Sequence, residues 1–136
     1  MTGTMRRART AIGAAGGALL LIAASASTAA AAGPDHSQCR MFTAPYGATC
    51  FQWVGDKQWV LDSDENGWAT VVHVQTNYDK DRYCQALPAA GGWDYCDFDH
   101  IEGKCVRFKL YEAKGSDTRG ETGWSPWYGT EYGWPC

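Results

Sequence analysis

Residues 104–112 alternate apolar and polar side chains with a period of two. Three apolar residues fall on one side of an extended chain: Val106, Phe108 and Leu110. The opposite side carries two basic residues and a cysteine: Arg107, Lys109 and Cys105. This alternation is typical of a β-strand with one buried face and one solvated face. A disulfide from the solvated side must therefore reach a segment that crosses the outside of the sheet.

Several further stretches are rich in β-branched and aromatic residues and are separated by turn residues. They cover residues 51–54, 58–61, 67–76, 82–87 and 93–98. Along the chain after residue 33, about seven short strands recur at a spacing of roughly ten residues, and no helical period lasts longer than a turn. The pattern predicts an all-β fold, either a small antiparallel β-sandwich or a barrel-like variant.

Two of these stretches carry more specific signals. Residues 55–57 carry the Gly-Asp-Lys signal of a hairpin turn between the first two strands. Residues 67–76 are partly apolar on both faces, which predicts a central strand. Four tryptophans in the strand-like stretches have aliphatic neighbours and are expected in the core: Trp53, Trp59, Trp68 and Trp93.

The N-terminus has the pattern of a secretory signal peptide. Three arginines precede an apolar run over residues 11–24, which is followed by small residues up to Gly33. The apolar run is shorter than the roughly 20 residues of a membrane span. We expect a signal peptide over residues 1–32, with cleavage after Ala32 preferred and Ala26 as the alternative. The rest, 33–136, is expected to be a single secreted domain with a flexible N-terminus over residues 33–38 and no membrane anchor.

Removal of the signal changes the charge of the chain. Three of the 12 basic residues lie within residues 1–32, whereas all 15 acidic residues lie after them, so residues 33–136 carry a net charge of about −6. Binding to nucleic acid or to an anionic membrane needs basic patches. Both kinds of partner are therefore excluded.

All six cysteines follow the predicted signal: Cys39, Cys50, Cys84, Cys96, Cys105 and Cys136. An even number in a short exported chain predicts three disulfides, although six cysteines allow fifteen pairings. Cys84 and Cys96 flank a turn and are expected to pair across a hairpin. Cys39 and Cys50 flank a turn in the same way, which leaves Cys105 for Cys136. A zinc–thiolate site is disfavoured because the chain has no C-x-x-C pair.

Two acidic stretches are candidate sites. Residues 62–67 match the first half of a calcium loop, but His73 stands where the loop needs a bidentate glutamate. A solvated turn that closes on Gly67 before a strand is the preferred interpretation. The second stretch contains Asp94, Asp97, Asp99 and His100. Surface acidity in a turn is preferred there over a catalytic pair or a metal site. We predict no metal and no cofactor.

The sequence also lacks the common signatures of catalysis. It contains no G-x-S-x-G or H-E-x-x-H motif, and no free cysteine remains if all six pair. We predict no catalytic residues, and therefore a binding protein in preference to an enzyme.

The strongest functional signal is a cluster of aromatic residues at the C-terminus. Its members are interleaved with glycine and proline over the last 13 residues: Trp124, Trp127, Tyr128, Tyr132 and Trp134. Such a segment cannot form a long strand or helix with one buried face. Two of the rings are accounted for by covering the end of the sandwich, and the others are expected to be exposed. Because tryptophan and tyrosine anchor protein interfaces, we predict a binding site here.

The order of features resembles that of small secreted β-proteins of actinobacteria. The resemblance rests on the Arg-then-Ala-rich signal, the acidic turn before residues 69–72, the Cys84/Cys96 pair and the run 102–108. The adaptor subunits of umbrella toxin particles are similar in size and style. That resemblance implies docking of secreted protein partners in a toxin complex. The alternatives are a glycan-binding module built on the C-terminal aromatic residues and an inhibitor of an extracellular enzyme.

Overall fold

Two antiparallel sheets face each other across a shared apolar core. A computed structural model of the chain describes residues 33–87 and 91–136, so the predicted signal over 1–32 lies outside the described residues. A 3-10 helix over His36–Gln38 precedes the strands. The strands are β1 (Cys39–Ala44), β2 (Gly47–Gln52), β3 (Lys57–Asp62), β4 (Ala69–Thr76), β5 (Asp81–Gln85), β6 (Trp93–Asp97), β7 (Cys105–Lys114), β8 (Asp117–Arg119) and β9 (Tyr128–Gly129).

The strand order places β7 at the centre of the second sheet. The first sheet runs β1-β2-β3-β6, and the second runs β5-β4-β7-β8, with β9 also paired to β7. Gly55 and Asp56 have φ angles of 85° and 52°, so the turn predicted between β2 and β3 is present. The prediction of an all-β, antiparallel sandwich is confirmed.

The core combines the inner faces of both sheets. Its fully buried members are Phe51, Val60, Val72, Val74, Val106, Phe108 and Leu110. The three inward residues of β7 are those that the alternating pattern predicts. Phe42 of β1 meets Phe108 of β7 edge to face, with ring centroids 6.1 Å apart, which joins the two sheets. β4 has buried residues on both faces and lies between β5 and β7, as a central strand should.

Trp59 is buried, as expected, but it does not belong to the cluster between the two sheets. It alternates with Val60 and therefore lies on the outer face of the first sheet. There its ring lies 4.8 Å from that of its cross-strand neighbour Tyr95. The inner face of the first sheet carries Val60 at this point, and the Trp59 indole is buried on the outer face beside Tyr95.

The other tryptophans expected in the core lie around its margins. Trp93 packs against Gly33, and Trp68 lies under the Arg119 guanidinium at 4.1 Å from the ring centroid. Trp53 is partly buried at the edge of the core. Aliphatic neighbours in the sequence therefore predicted that these rings are at least partly buried, but they did not predict where in the fold each ring lies.

The N-terminal segment is attached to the first sheet, contrary to the expectation of a flexible end. Asp35 accepts a hydrogen bond from the Ser37 N–H at 3.0 Å and thereby caps the short helix. The Trp53 N–H donates to the Gln38 carbonyl at 3.3 Å. Pro34 is buried. Residues 33–38 thus form a cover over the outer face of this sheet.

All six cysteines pair in the expected arrangement of Cys39–Cys50, Cys84–Cys96 and Cys105–Cys136. The expected geometry of the second disulfide is wrong, because it does not close a hairpin. β6 pairs with β3 and not with β5, so Cys84 and Cys96 lie in different sheets and join them at one edge. Three disulfides point to an oxidising environment.

We expect the double substitution Cys105→Ser/Cys136→Ser to lower the free energy of unfolding by about 3–4 kcal/mol, because this bridge closes the longest of the three loops. Its cysteines are 31 residues apart, against 11 for Cys39 and Cys50. Equilibrium unfolding in urea measures the change. The matched variant Cys39→Ser/Cys50→Ser should lose about 1 kcal/mol less on loop length alone. An unfolding free energy unchanged by loss of Cys105–Cys136 would contradict this role.

Candidate functional site

The chain after β8 follows the edge of β7 even though it is too irregular to form a strand. The N–H groups of Thr122 and Ser125 donate to the carbonyls of Leu110 and Phe108, at 2.9 and 2.8 Å. The side-chain hydroxyls of the same two residues accept from the Leu110 and Phe108 N–H groups, at 3.0 and 2.9 Å. The hydroxyl oxygens therefore take the place of strand carbonyls and satisfy the buried edge of β7.

Further along, the chain forms a closed loop over residues 130–136, called here the C-terminal loop. It begins where β9 pairs with the start of β7, with Tyr128 opposite Val106. The loop then folds back, and the Gly129 N–H donates to the Trp134 carbonyl at 2.7 Å. The disulfide from Cys136 ties its end to β7.

Thr130 anchors the start of the C-terminal loop. Its side chain is fully buried, and its hydroxyl donates to the Ile101 carbonyl at 2.8 Å. The same oxygen accepts from the Lys104 N–H at 3.2 Å, and the Thr130 N–H donates to the Lys104 carbonyl at 2.8 Å. The turn before β7 is thereby fixed to the loop.

Gly133 anchors the middle of the C-terminal loop against the first sheet. It is buried with φ +65°, and a Cβ atom at this position would overlap the Trp53 ring. Its carbonyl accepts a hydrogen bond from Arg40 Nε. The Arg40 guanidinium lies between two rings, 5.6 Å from Trp53 and 5.4 Å from Tyr128. A residue without a side chain is therefore required here.

The two residues that flank Gly133 point outward. Tyr132 is 56% exposed and Trp134 is 68% exposed, with ring centroids 5.4 Å apart. A shallow cavity of about 190 Å³ lies beside them and is also lined by Lys104, Glu131 and Pro135. Two large aromatic side chains are thus presented on a backbone held by a disulfide, a buried threonine and a buried glycine.

Trp124 and Trp127 lie elsewhere, on the outer face of the second sheet. The Arg107 guanidinium lies 4.5 Å from the Trp124 ring centroid and 4.7 Å from that of Trp127. The Lys109 ammonium lies 4.6 Å from Trp124. Both indoles are half-buried on these cations, an arrangement that the ring quadrupole favours. The two indoles pack on the face of β7 that carries Arg107 and Lys109, which the alternating pattern predicted to be the solvated face.

Tyr128 belongs to the core. Its ring stacks on Phe108 with centroids 5.9 Å apart and packs against the buried cluster. The five aromatic residues of the predicted site therefore divide into a core residue, a half-buried pair on the second sheet and an exposed pair on the C-terminal loop. Sequence reasoning missed Arg40 and Trp53, which position the exposed pair. Both precede it by about 80 to 90 residues, and no local pattern connects them.

The acidic turn over residues 62–67 is held by hydrogen bonds of its own and by β7. The Asp64 N–H donates to Asp62 Oδ1 at 3.1 Å, and the Trp68 N–H donates to Asn66 Oδ1 at 2.9 Å. Asn66 Nδ2 donates to Glu112 Oε1 at 2.6 Å. Gly67 has φ +80°, as expected for the end of this turn.

The acidic stretch around His100 does not form one cluster. Asp97 and Asp99 are exposed, and Asp94 Oδ2 accepts from the Leu87 N–H at 2.8 Å. His100 is buried and faces the core, where its ring lies 5.7 Å from that of Phe51. These residues are close in sequence, but the histidine side chain is buried and the carboxylates of Asp97 and Asp99 are exposed.

His100 and Asp56 have perturbed pKa values at this end of the molecule. Burial, followed by the charge of Arg82, lowers the pKa of His100 to about 4. Burial raises the pKa of Asp56 to about 6, although Asp56 Oδ2 accepts from the His100 N–H at 3.1 Å. His100 Nδ1 meets the Tyr78 hydroxyl at 2.8 Å, and His100 Nε2 has no hydrogen-bond partner among the described residues.

Comparison of the sequence with models of known protein families and with curated proteins found no match. In the described part of the chain, no three His, Cys, Asp or Glu side chains are grouped so that they could hold a metal ion. Within residues 33–87 and 91–136, no helix has the length and apolarity to cross a membrane.

Gly133→Ala is expected to lower the free energy of unfolding by about 2–4 kcal/mol, from a left-handed backbone combined with an overlap with Trp53. Thermal and urea unfolding measure it. Gly123→Ala is the matched control, because it lies in the same segment with open space at its Cβ position and no positive φ. Equal stability of the two variants would show that Gly133 does not anchor the loop.

The pH dependence of stability should change in Asp56→Asn. The folded protein binds the Asp56 proton more tightly than the unfolded chain does, so this carboxyl lowers stability as pH rises from about 4 to about 6. His100 acts in the opposite direction, because its folded pKa is lowered from about 6.5 to about 4 and stability rises with pH over that range.

Urea unfolding of Asp56→Asn between pH 4 and pH 6.5 should therefore show a steeper rise of stability with pH than the wild type. Asp97→Asn, an exposed carboxylate nearby, serves as the control and should follow the wild type. Parallel profiles for Asp56→Asn and the wild type would contradict the assignment.

Proposed function

We propose that this chain is a secreted, non-catalytic binding protein whose C-terminal loop docks another secreted protein. An adaptor subunit of an extracellular bacterial toxin complex would work in this way. The observation that carries the proposal is the exposure of Tyr132 and Trp134 on a loop anchored at Thr130, Gly133 and Cys136.

The exposed pair has the composition of an interface centre. Tryptophan and tyrosine dominate the binding energy of protein interfaces, and they act best when polar residues surround them. Lys104, Glu102 and Glu131 are exposed around the C-terminal loop and supply such a rim. The mixed charges favour a polar protein surface as the partner over a membrane or a nucleic acid.

The anchored backbone also favours binding. A loop that is already ordered loses little conformational entropy when a partner covers it. Most of the surface of Tyr132 and Trp134 is exposed, so these rings contribute little buried apolar area to folding stability. Exposed apolar side chains that lie together mark interaction sites, and a partner that covers this loop would bury both rings.

The test is capture from the culture supernatant of the producing cells on immobilised protein, with and without Tyr132→Ala/Trp134→Ala. A captured secreted protein is identified by mass spectrometry, and its complex is then reconstituted from purified components. Binding should weaken at least about a hundredfold in the double variant, which corresponds to about 2.7 kcal/mol for two interface anchors. Its stability should change by less than about 1 kcal/mol because both side chains are exposed.

Tyr95→Ala is the matched control, since Tyr95 is 46% exposed and lies on the outer face of the first sheet. It should bind as the wild type does. If the reconstituted complex forms equally well with Tyr132→Ala/Trp134→Ala, the loop is not the docking site. If the partner is an enzyme that loses activity on binding, the chain is an inhibitor and not an adaptor.

A further inference from the structure

A second surface lies on the outer face of the second sheet, away from the residues of the C-terminal loop. It is a shallow groove of about 300 Å³, called here the outer groove. Six residues line it: His73, Tyr83, Lys109, Tyr111, Thr118 and Glu121. They come from the strands β5, β4, β7 and β8 and from the segment after β8, so the groove crosses the sheet over roughly 14 Å.

The strand register places three of these side chains in one row. Tyr83 is the cross-strand partner of His73, and His73 is the partner of Lys109. The Tyr83 and His73 rings stack at 4.4 Å with planes 15° apart. Because β5 is the edge strand of this sheet, no other strand of the described residues covers the second face of Tyr83, which is 56% exposed.

The polar groups of the outer groove are already ordered. The Lys109 ammonium pairs with the Glu121 carboxylate and also lies 4.6 Å from the Trp124 ring centroid. His73 Nε2 meets Asp81 Oδ1 at 3.1 Å. A ligand would therefore find fixed donors and acceptors and would pay little for ordering them.

The groove carries compensating charge together with hydroxyl groups. Lys109 and Glu121 neutralise each other, so the field does not favour a strongly anionic or cationic ligand. Tyr83, Tyr111 and Thr118 add three hydroxyls that both donate and accept hydrogen bonds. Burial raises the pKa of Tyr111, and Tyr83 and Glu121 raise it further, which is consistent with the three groups converging on one space.

We infer that the outer groove binds a neutral oligosaccharide, with the free face of Tyr83 stacked on a sugar ring and the Lys109–Glu121 pair hydrogen-bonded to its hydroxyls. Sugar C–H groups carry small positive charge and match the negative face of an aromatic ring. Hydroxyls of a sugar match side chains that can donate and accept at once. The open, shallow form of the groove suits a chain that lies across it.

Two other ligand classes fit less well. A phosphorylated or sulfated ligand would meet the Glu121 carboxylate, and the one lysine of the lining, Lys109, is already paired with it. A proline-rich peptide binds between aromatic side chains that donate hydrogen bonds to its carbonyl groups. Such a peptide offers few donors, so the Glu121 carboxylate would have no hydrogen-bond partner on it.

Isothermal titration of the secreted protein with cellotetraose, maltotetraose and chitotetraose tests the inference. At least one of them should bind with a Kd below about 1 mM. Tyr83→Ala should weaken that binding at least about tenfold, because it removes the stacking face. Glu121→Gln should weaken it too, since the ordered carboxylate is lost. Tyr95→Ala should leave the affinity unchanged, because Tyr95 is also exposed, at 46%, but lies on the first sheet.

Tetragalacturonate and hexaproline are included as an anionic saccharide and a proline-rich peptide. Preference for either of them, absence of binding to all three neutral sugars, or sugar binding that survives Tyr83→Ala would overturn the inference. The variant Tyr132→Ala/Trp134→Ala should keep its sugar affinity, and loss of that affinity would place the sugar site on the C-terminal loop and overturn the inference. Docking of a protein by the C-terminal loop is tested separately, by capture and reconstitution.

Discussion

Both faces and both edges of β7 contact other parts of the chain, and the second sheet and the C-terminal segment are assembled on this strand. Its inner face supplies three fully buried core residues, and one edge pairs with β4 over eight residues. Its other edge holds β8, the hydroxyls of Thr122 and Ser125, and β9 in succession. An irregular segment can follow a strand in this way because side-chain oxygens satisfy buried N–H groups as well as carbonyls do.

The three disulfides cross-link three different parts of the fold. One fixes the outer face of the first sheet, one joins the two sheets at an edge, and one fixes the C-terminal loop to β7. A domain of about a hundred residues buries a limited share of its surface, so such cross-links matter more here than in a larger fold. The third disulfide ties the loop that exposes two large aromatic rings to β7.

The outer face of the second sheet and the C-terminal loop meet at the aromatic segment. Trp124 packs on the cations of β7 and borders the outer groove, whereas Tyr132 and Trp134 lie beyond β9 on a loop that Arg40 and Trp53 hold from the first sheet. One C-terminal segment thus contributes to two surfaces of different chemistry. The first is lined by polar groups and stacked rings, and the second is an exposed aromatic pair with a charged rim.

The sequence made one disulfide arrangement the preferred one of fifteen, although the hairpin expected for Cys84–Cys96 is absent. What it determined by itself was the all-β class and the faces of β7. These depend on local periodicity and on turn residues, which a pattern records directly. The tertiary structure alone decided that Trp59 faces outward, that Cys84–Cys96 joins two sheets, and that five neighbouring aromatic residues separate into three environments. Their positions depend on which distant strand or side chain covers each ring. Contacts such as Trp53 against Gly133 join residues that are 80 apart, and no local pattern of apolar and polar positions records them.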